Sequence, residues 1–329
     1  MKTTRRTLLK WGGLMLPNGP LLAQAQDSYP SRPIRLVVPF PPGGSPDILA
    51  RTLAQKITEA TGAAVVVENI PGAGGSIGAD RVAKAAPDGY TLLMGHVGTL
   101  AFAPALYPNL PYNPVKSFTP VAWVARVPNV MAITPSLPVK NLTEWVAYLK
   151  SHPGQVNYGS GGNGSAAHLA VEYFKLATQT FIVHVPYRGT APSVTDAVAG
   201  QVQMVFTGAP AIIPMVKAGK LRAIAVSSPQ RLEALPEVPT LAESGIPGLS
   251  RFEADQWYGV VAPAGAPAFA VQKLNSIINS SLTSAEVSAR LKSEGALATP
   301  TTPEAFGQII HNEMERWRPV VVKARIRAD

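Results

Sequence analysis

The stretch that most constrains the fold runs from Arg32 to Ala54. Its first half, Ile34-Arg35-Leu36-Val37-Val38, is a short, β-branched and mostly apolar run that reads as a buried strand. Its second half reads as a helix, with Ser45 as candidate N-cap, Pro46 at the first helical position and Asp47 in the first turn. Between them stand Pro39-Phe40-Pro41-Pro42-Gly43-Gly44. Glycine lets a ligand approach the backbone, and a helix start offers unpaired N–H groups carrying a partial positive charge. Such a unit is either an anion pocket or an ordinary turn of an α/β domain.

The same design recurs. Strand Val156 to Ser160 leads through Gly161-Gly162-Asn163-Gly164 into a helix from Ser165 to Ala177. Around these units the pattern alternates: strands near 63–68, 90–95, 181–187, 202–206 and 221–227, with helices near 79–85, 142–151, 191–199 and 212–218. Residues 104–120 read as a proline-rich loop, and the last helix as running from Pro303 to about Arg318, just before Pro319. The fold class is therefore α/β, arranged as two similar lobes rather than one long sheet. The apolar runs around Val127-Pro128-Asn129, and the strand within Phe252 to Pro263, read as crossings between lobes. That divides the chain into residues 28–127 plus 256–329 and residues 128–255, with a hinge near 126–130 and 252–257.

With 329 residues the chain is long enough for about two domains and a sizeable core. The N-terminus reads as an export leader of residues 1–25: Thr4-Arg5-Arg6-Thr7-Leu8-Leu9-Lys10 is a twin-arginine pattern, Trp11 to Leu16 is apolar, and Ala23-Gln24-Ala25 fits a cleavage site. Pro17-Asn18-Gly19-Pro20 interrupts the apolar run, which is far shorter than the roughly 20 residues a span needs. Export points to the periplasm. The absence of cysteine is compatible with that, and it excludes thiolate catalysis. The formal charge is +9; Lys2, Arg5, Arg6 and Lys10 belong to the leader, which leaves a mild +5 for the remainder. No basic stripe with interleaved aromatics accompanies it, so no nucleic-acid partner is expected.

Gly159-Ser160-Gly161-Gly162-Asn163-Gly164 satisfies the G-x-G-x-x-G pattern, but the acid that should hold a ribose about 20 residues later is replaced by Pro186-Tyr187-Arg188. A smaller anion suits the loops better. Neither carries Lys or Arg, so capture would fall to backbone N–H groups, hydroxyls of Ser45, Ser160 and Ser165, or water. Ser165, His168 and Asp196 suggest a hydrolase, yet Gly162-Asn163-Gly164-Ser165-Ala166 lacks the flanking glycines of a nucleophile elbow. The five histidines show no metal-ligand spacing. Asp47 reads either as a ligand contact or as a brace for its loop, His168 as a ligand contact or a bond to the neighbouring loop, and Arg188 as a ligand ion pair or a solvated corner.

With these loops in view, the chain resembles the periplasmic solute receptors of tripartite tricarboxylate transporters, often called Bug-type receptors. The likeness rests on Arg32 to Phe40 with Pro42-Gly43-Gly44 and Asp47, on Asn69 to Gly75, on Pro87-Asp88-Gly89-Tyr90-Thr91-Leu92, and on Tyr158-Gly159-Ser160 to Leu169. It continues through Val185-Pro186-Tyr187-Arg188-Gly189, Trp257-Tyr258-Gly259 and Ala262-Pro263-Ala264-Gly265. Here Pro41-Pro42 replaces the small residues seen in many members. The resemblance implies a clamshell of two lobes, each a mostly parallel sheet flanked by helices. It implies no enzyme activity and no cofactor, but capture of a small organic carboxylate, aliphatic or aromatic, for delivery to a membrane permease. It implies ligand contacts from Phe40, Pro42, Gly43, Gly44, Ser45 and Asp47, from the turn between Gly95 and Thr99, and from Ser160, Asn163, Ser165, Tyr187 and Arg188. An exported hydrolase or cofactor-dependent enzyme, and a ligand sensor for a membrane kinase, are the alternative readings.

Overall fold

The computed structural model describes residues 29–293 and 295–326; the expected leader lies outside them. The chain first lays down β1 (Ile34–Val38), α1 (Ser45–Thr61), β2 (Val65–Asn69), α2 (Ser76–Ala83) and β3 (Thr91–His96). A π-helical turn, Gly98–Phe102, runs into the short α3 (Ala103–Leu106), so the start of the expected proline-rich loop is helical; β4 (Phe118–Val127) follows. Beyond Pro128 come β5 (Asn129–Ile133), α4 (Leu142–Ser151), β6 (Asn157–Ser160), α5 (Ala166–Thr178), β7 (Val183–Pro186), α6 (Thr190–Val198), β8 (Met204–Gly208), α7 (Ala209–Lys217) and β9 (Arg222–Val226). The chain then returns with β10 (Gln256–Pro263), α8 (Ala268–Thr283), α9 (Ala285–Ser293), the two-residue β11 (Leu297–Ala298) and α10 (Pro303–Lys323), which continues past Pro319.

The strands form two sheets, ordered β11-β4-β10-β3-β1-β2 and β7-β6-β8-β5-β9. Both are mixed rather than mostly parallel. β2, β1 and β3 are mutually parallel, as are β7, β6 and β8. The crossing strands break the pattern: β10 runs antiparallel to both β3 and β4, and β5 antiparallel to both β8 and β9. A strand that enters a sheet from the other lobe arrives from the opposite end to one laid down by a βα repeat. The result is a two-lobed α/β protein with a six-stranded and a five-stranded sheet.

Local sequence accounts for the helices. On α1, Leu49, Leu53 and Ile57 recur every fourth residue on the buried face while Arg51 and Gln55 face solvent. Gly62, in left-handed conformation, ends that helix. Asn141 caps α4 through Glu144 N–H, and Thr302 caps α10 through Ala305 N–H. A chain of aromatic rings crosses from one sheet's side to the other: Phe102 meets Trp317 on α10 at 4.9 Å, Trp317 meets Tyr173 on α5 at 5.9 Å, and Tyr173 stacks on Phe252 at 4.6 Å.

Candidate functional site

In α/β sheets, ligands gather at the carboxyl ends of the strands. Here the carboxyl ends of β1 and β3 in one sheet and of β6, β7 and β8 in the other lead into loops that enclose a common cavity of about 100 Å³. Its walls include Phe40, Pro42, Gly44 and Pro46 from the β1–α1 loop, His96 from β3, Ser165, Ala166 and Ala167 from the start of α5, Thr190 from the start of α6, Thr207 from β8, and Gln256 and Tyr258 from β10. A wider outer chamber of about 540 Å³ shares Phe40, Pro41, Gly161 and Gly189 with the inner one and adds the glycine loop 72–75, Tyr107, Asn163, Tyr187 and Arg188.

Three helices, α1, α5 and α6, thus begin at the inner cavity. Their first-turn N–H groups have no partner within the helix, and each terminus carries roughly half a positive charge. No Asp, Glu, Lys or Arg lines this cavity. His96 is buried, and that burial lowers its pKa to about 4, so the imidazole is neutral at physiological pH. Its Nδ1 accepts from Gly98 N–H at 2.9 Å, leaving Nε2 to carry the proton. Its ring meets Phe40 edge-on at 5.1 Å and lies 5.3 Å from Tyr258. The Tyr258 phenol, its pKa raised by burial, stays protonated and donates to Gln256 Oε1 at 2.7 Å. The cavity is neutral in side chains and electropositive in backbone, a setting that favours a small anion with an apolar body.

Much of the polar equipment behind the loops is engaged in holding them. Asp47 Oδ2 accepts from Gly43 N–H and Arg51 Nε, both at 3.0 Å, and Oδ1 accepts from Asn69 Nδ2 at 3.0 Å. Burial opposes ionisation of Asp47, but bonds from Arg51, Gly43 and Asn69 outweigh it and hold its pKa below the usual carboxylate value. Asn69 also donates to Phe40 O at 3.0 Å. Asp47 is thus the brace of its loop. Ser45 is not the N-cap: Gly44 holds that position, and Ser45 is the buried first residue of the helix. In the second loop, Ser160 Oγ accepts from Gly162 N–H at 3.1 Å and contacts His184 Nε2 at 2.6 Å. Ser165 caps α5 by accepting from His168 N–H at 3.3 Å. His168 Nδ1 accepts from Gly164 N–H at 3.1 Å, and its ring stacks on His184 at 4.0 Å.

Of the residues expected from the sequence, Phe40, Pro42, Gly44 and Ser165 line the inner cavity, and Asn163, Tyr187 and Arg188 line the outer chamber together with Phe40. Gly43, Ser45, Asp47, Gly95, Thr99 and Ser160 line neither. Gly95 packs against Leu100, and Thr99 Oγ1 bonds both the N–H and the carbonyl of His96, holding that ring in the wall. Among the polar wall residues, Thr190, Thr207, Gln256 and Tyr258 fall outside the site expected from sequence. His96, at the carboxyl end of β3, is the residue of the expected turn between Gly95 and Thr99 that lines the cavity; Gln256 and Tyr258 arrive on the return strand and carry no local signal. The hydrolase constellation is not assembled: Ser165 Oγ serves as a cap, and Asp196 accepts from Tyr187 OH at 2.8 Å. Among the described residues no group of three or more His, Asp or Glu could hold a metal ion, and no helix is long and apolar enough to cross a membrane.

Comparison with known proteins agrees with this geometry. BugT of Bordetella pertussis is 40% identical over 90% of this chain and 90% of its own length. Among solved structures, R. palustris Rpa4515 with adipate is 36% identical and superposes with a TM-score of 0.87, covering 91% of this chain and 99% of that one. MatC from Rhodopseudomonas palustris with bound malate is 35% identical with a TM-score of 0.83, covering 89% of this chain and all of that one, 100%. The sequence profile of the tripartite tricarboxylate transporter family receptor matches residues 49–326. The chain belongs to that family, whose members are solute-binding receptors and not enzymes.

Proposed function

We propose that this receptor captures a small organic carboxylate in the inner cavity and presents it to the membrane permease of a tripartite transporter. The observation that carries the reading is the convergence of three helix starts on a cavity whose side chains bear no charge at neutral pH. A carboxylate there takes N–H donors from both lobes, each charge-assisted bond adding about 1.5–3 kcal/mol. The adipate and malate found with the two relatives support that ligand class. In this reading Phe40, Pro42, Gly44 and Ser165 touch the ligand, joined by His96, Thr190, Gln256 and Tyr258; Gly43, Ser45, Asp47, Gly95, Thr99 and Ser160 shape the loops around it. Residues 28–127 with 256–329 form one lobe and 128–255 the other, opening and closing about the crossings at Pro128 and Ala254. The leader of residues 1–25 exports the chain to the periplasm.

Titration calorimetry of ligand-stripped protein against aliphatic and aromatic mono- and dicarboxylates tests this. At least one acid binds with micromolar or better affinity; no heat from any acid, with folded protein, overturns the reading.

A further inference from the structure

We propose that the outer edge of β2 is a self-association surface, at which two copies of this chain pair strand to strand about a two-fold axis. An open sheet ends in strands whose outward N–H and C=O groups lack a ladder partner, and proteins blunt such edges against unwanted pairing. Among the described residues, three of the four edge strands are blunted. β11 is two residues long. β7 turns Pro186, which has no N–H, outward, because Val183 and Tyr187 on either side of it donate inward to Val156 O and Ser160 O. β9 is bulged against β5 and covered at its end, where Val226 N–H donates to Pro239 O and Leu241 N–H to Val226 O.

β2 carries none of these devices. Its sequence is Val65-Val66-Val67-Glu68-Asn69, with no proline, lysine or glycine, and it pairs with β1 in unbroken register. The ends of that ladder fix its alternation: Ile34 N–H bonds Ala64 O, and Ile70 N–H bonds Val38 O. Even-numbered residues therefore face β1, while Val65, Val67 and Asn69 turn their backbone groups outward. The side chains of Val66 and Glu68 lie on the α2 side, where Glu68 meets Arg81 at 3.9 Å, and Val66 is 52% exposed.

Symmetry says what covers this edge. Val67 is both the central residue of β2 and an outward one, so antiparallel pairing about Val67 overlaps the whole strand. Val67 then exchanges both of its hydrogen bonds with its counterpart, and each Asn69 N–H reaches the Val65 carbonyl of the other copy. The Val65 N–H is already taken by Thr58 Oγ1 at 3.2 Å, which leaves the Asn69 carbonyl to water at the rim. On the α2 side Val66 stands opposite Glu68 of the other copy. No like charges stand directly opposite, and Arg35 at 2.7 Å neutralises Glu68 within its own chain. β2 leads on through Asn69, which bonds Phe40 O and Asp47, into the glycine loop 72–75. Pairing here braces one wall of each cleft.

Sedimentation velocity of the folded protein over a concentration series is the test, with melting temperature as control. The mass rises with concentration from that of one chain toward that of two. Val66→Glu sets a carboxylate against Glu68 of the other copy but beside Arg35 in its own chain, so it weakens association about tenfold and leaves the melting temperature nearly unchanged. Adding Glu68→Lys to it reverses the facing charge and recovers most of the loss. Val67→Pro removes an outward N–H without breaking the β1 ladder, and it too weakens association. A single-chain mass at every concentration overturns the proposal, whether the edge then stays bare or takes a strand from another protein. A dimer indifferent to Val66→Glu overturns it as well. Either failure leaves the carboxylate reading intact.

Discussion

Asn129 sits where the chain first passes between the sheets, fully buried and with both ends of its carboxamide occupied. Its Oδ1 accepts from Gln256 Nε2 and its Nδ2 donates to Ala254 O, each at 2.6 Å. Its backbone N–H donates to Ser227 Oγ at 2.8 Å, and Ser227 in turn donates to the Asp255 carboxylate, which is paired with Arg126. One side chain thus ties the outgoing crossing to the returning one and, through Gln256, to the cavity wall. Asn129→Ala leaves a buried amide N–H and a buried carbonyl without partners, at about 1–3 kcal/mol each. A combined loss of about 3 kcal/mol, set against a total of about 5–15, lowers the melting temperature by roughly 6–12 °C. Asn129→Asp behaves differently. One oxygen still accepts from Gln256, but the other faces the Ala254 carbonyl and can bond it only when protonated. Burial and that carbonyl raise the folded-state pKa of the new carboxyl above its unfolded value near 3.9. The unfolded chain then releases its proton first as pH rises, so stability is full below about pH 4 and declines from there up to the folded-state pKa. Urea unfolding of wild type and both variants at pH 5 and pH 8 reads this directly. Relative to wild type, the deficit of Asn129→Ala is the same at both pH values, and that of Asn129→Asp is larger at pH 8. An Ala deficit below about 1 kcal/mol, or a pH-independent Asp deficit, refutes the account of Asn129 as a fully bonded tie.

Three further outcomes follow from the loops. Asp47→Ala strips Gly43 N–H and Asn69 of their acceptor and destabilises by about 2 kcal/mol at pH 7; because the Asp47 pKa is lowered in the folded state, wild-type stability from this group is present above about pH 4 and lost as pH falls below it, so denaturation of the two proteins converges in acid. His168 is held at about pKa 4 by burial, with a smaller contribution from Lys175, so the unfolded chain takes the proton first as pH falls from about 6.5. His168→Gln, which can still accept from Gly164 N–H, therefore flattens the stability–pH curve between about 6.5 and 4 by up to 1.4 kcal/mol per pH unit; an unchanged slope in chemical denaturation refutes this. Gly164 has φ +73, and an added Cβ would come within 2.7 Å of Leu106 Cδ1 in the other lobe. Gly164→Ala weakens carboxylate binding several-fold by calorimetry, and Leu106→Ala added to it restores part of the loss.

The sequence displays the elements far better than the site because the two depend on information at different range. The run Ile34 to Val38, the glycines after it and the four-residue recurrence of Leu49, Leu53 and Ile57 are local patterns, and each became the element it suggests. Strand direction across a crossing is not local: nothing within Gln256 to Pro263 says that it will lie antiparallel between β3 and β4, which makes the sheet mixed where the resemblance implies a mostly parallel one. A serine beside a glycine loop is equally ambiguous, since residue type does not give the direction of the hydroxyl. Ser160 turned to its own loop and to His184, and Ser165 to His168 N–H, because a buried hydroxyl takes the nearest partner, and the nearest partner was set by packing. The same packing placed Gln256 beside Asn129, 127 positions away, and so put a carboxamide in the wall that no motif announces. Asp47, Asn69, Thr99 and His168 bond the loop backbones and their neighbours, which fixes the direction of the helix starts that border the inner cavity. A site whose donors are mostly backbone can be foreseen as a loop, but the identity of its walls emerges only when the second sheet closes on the first.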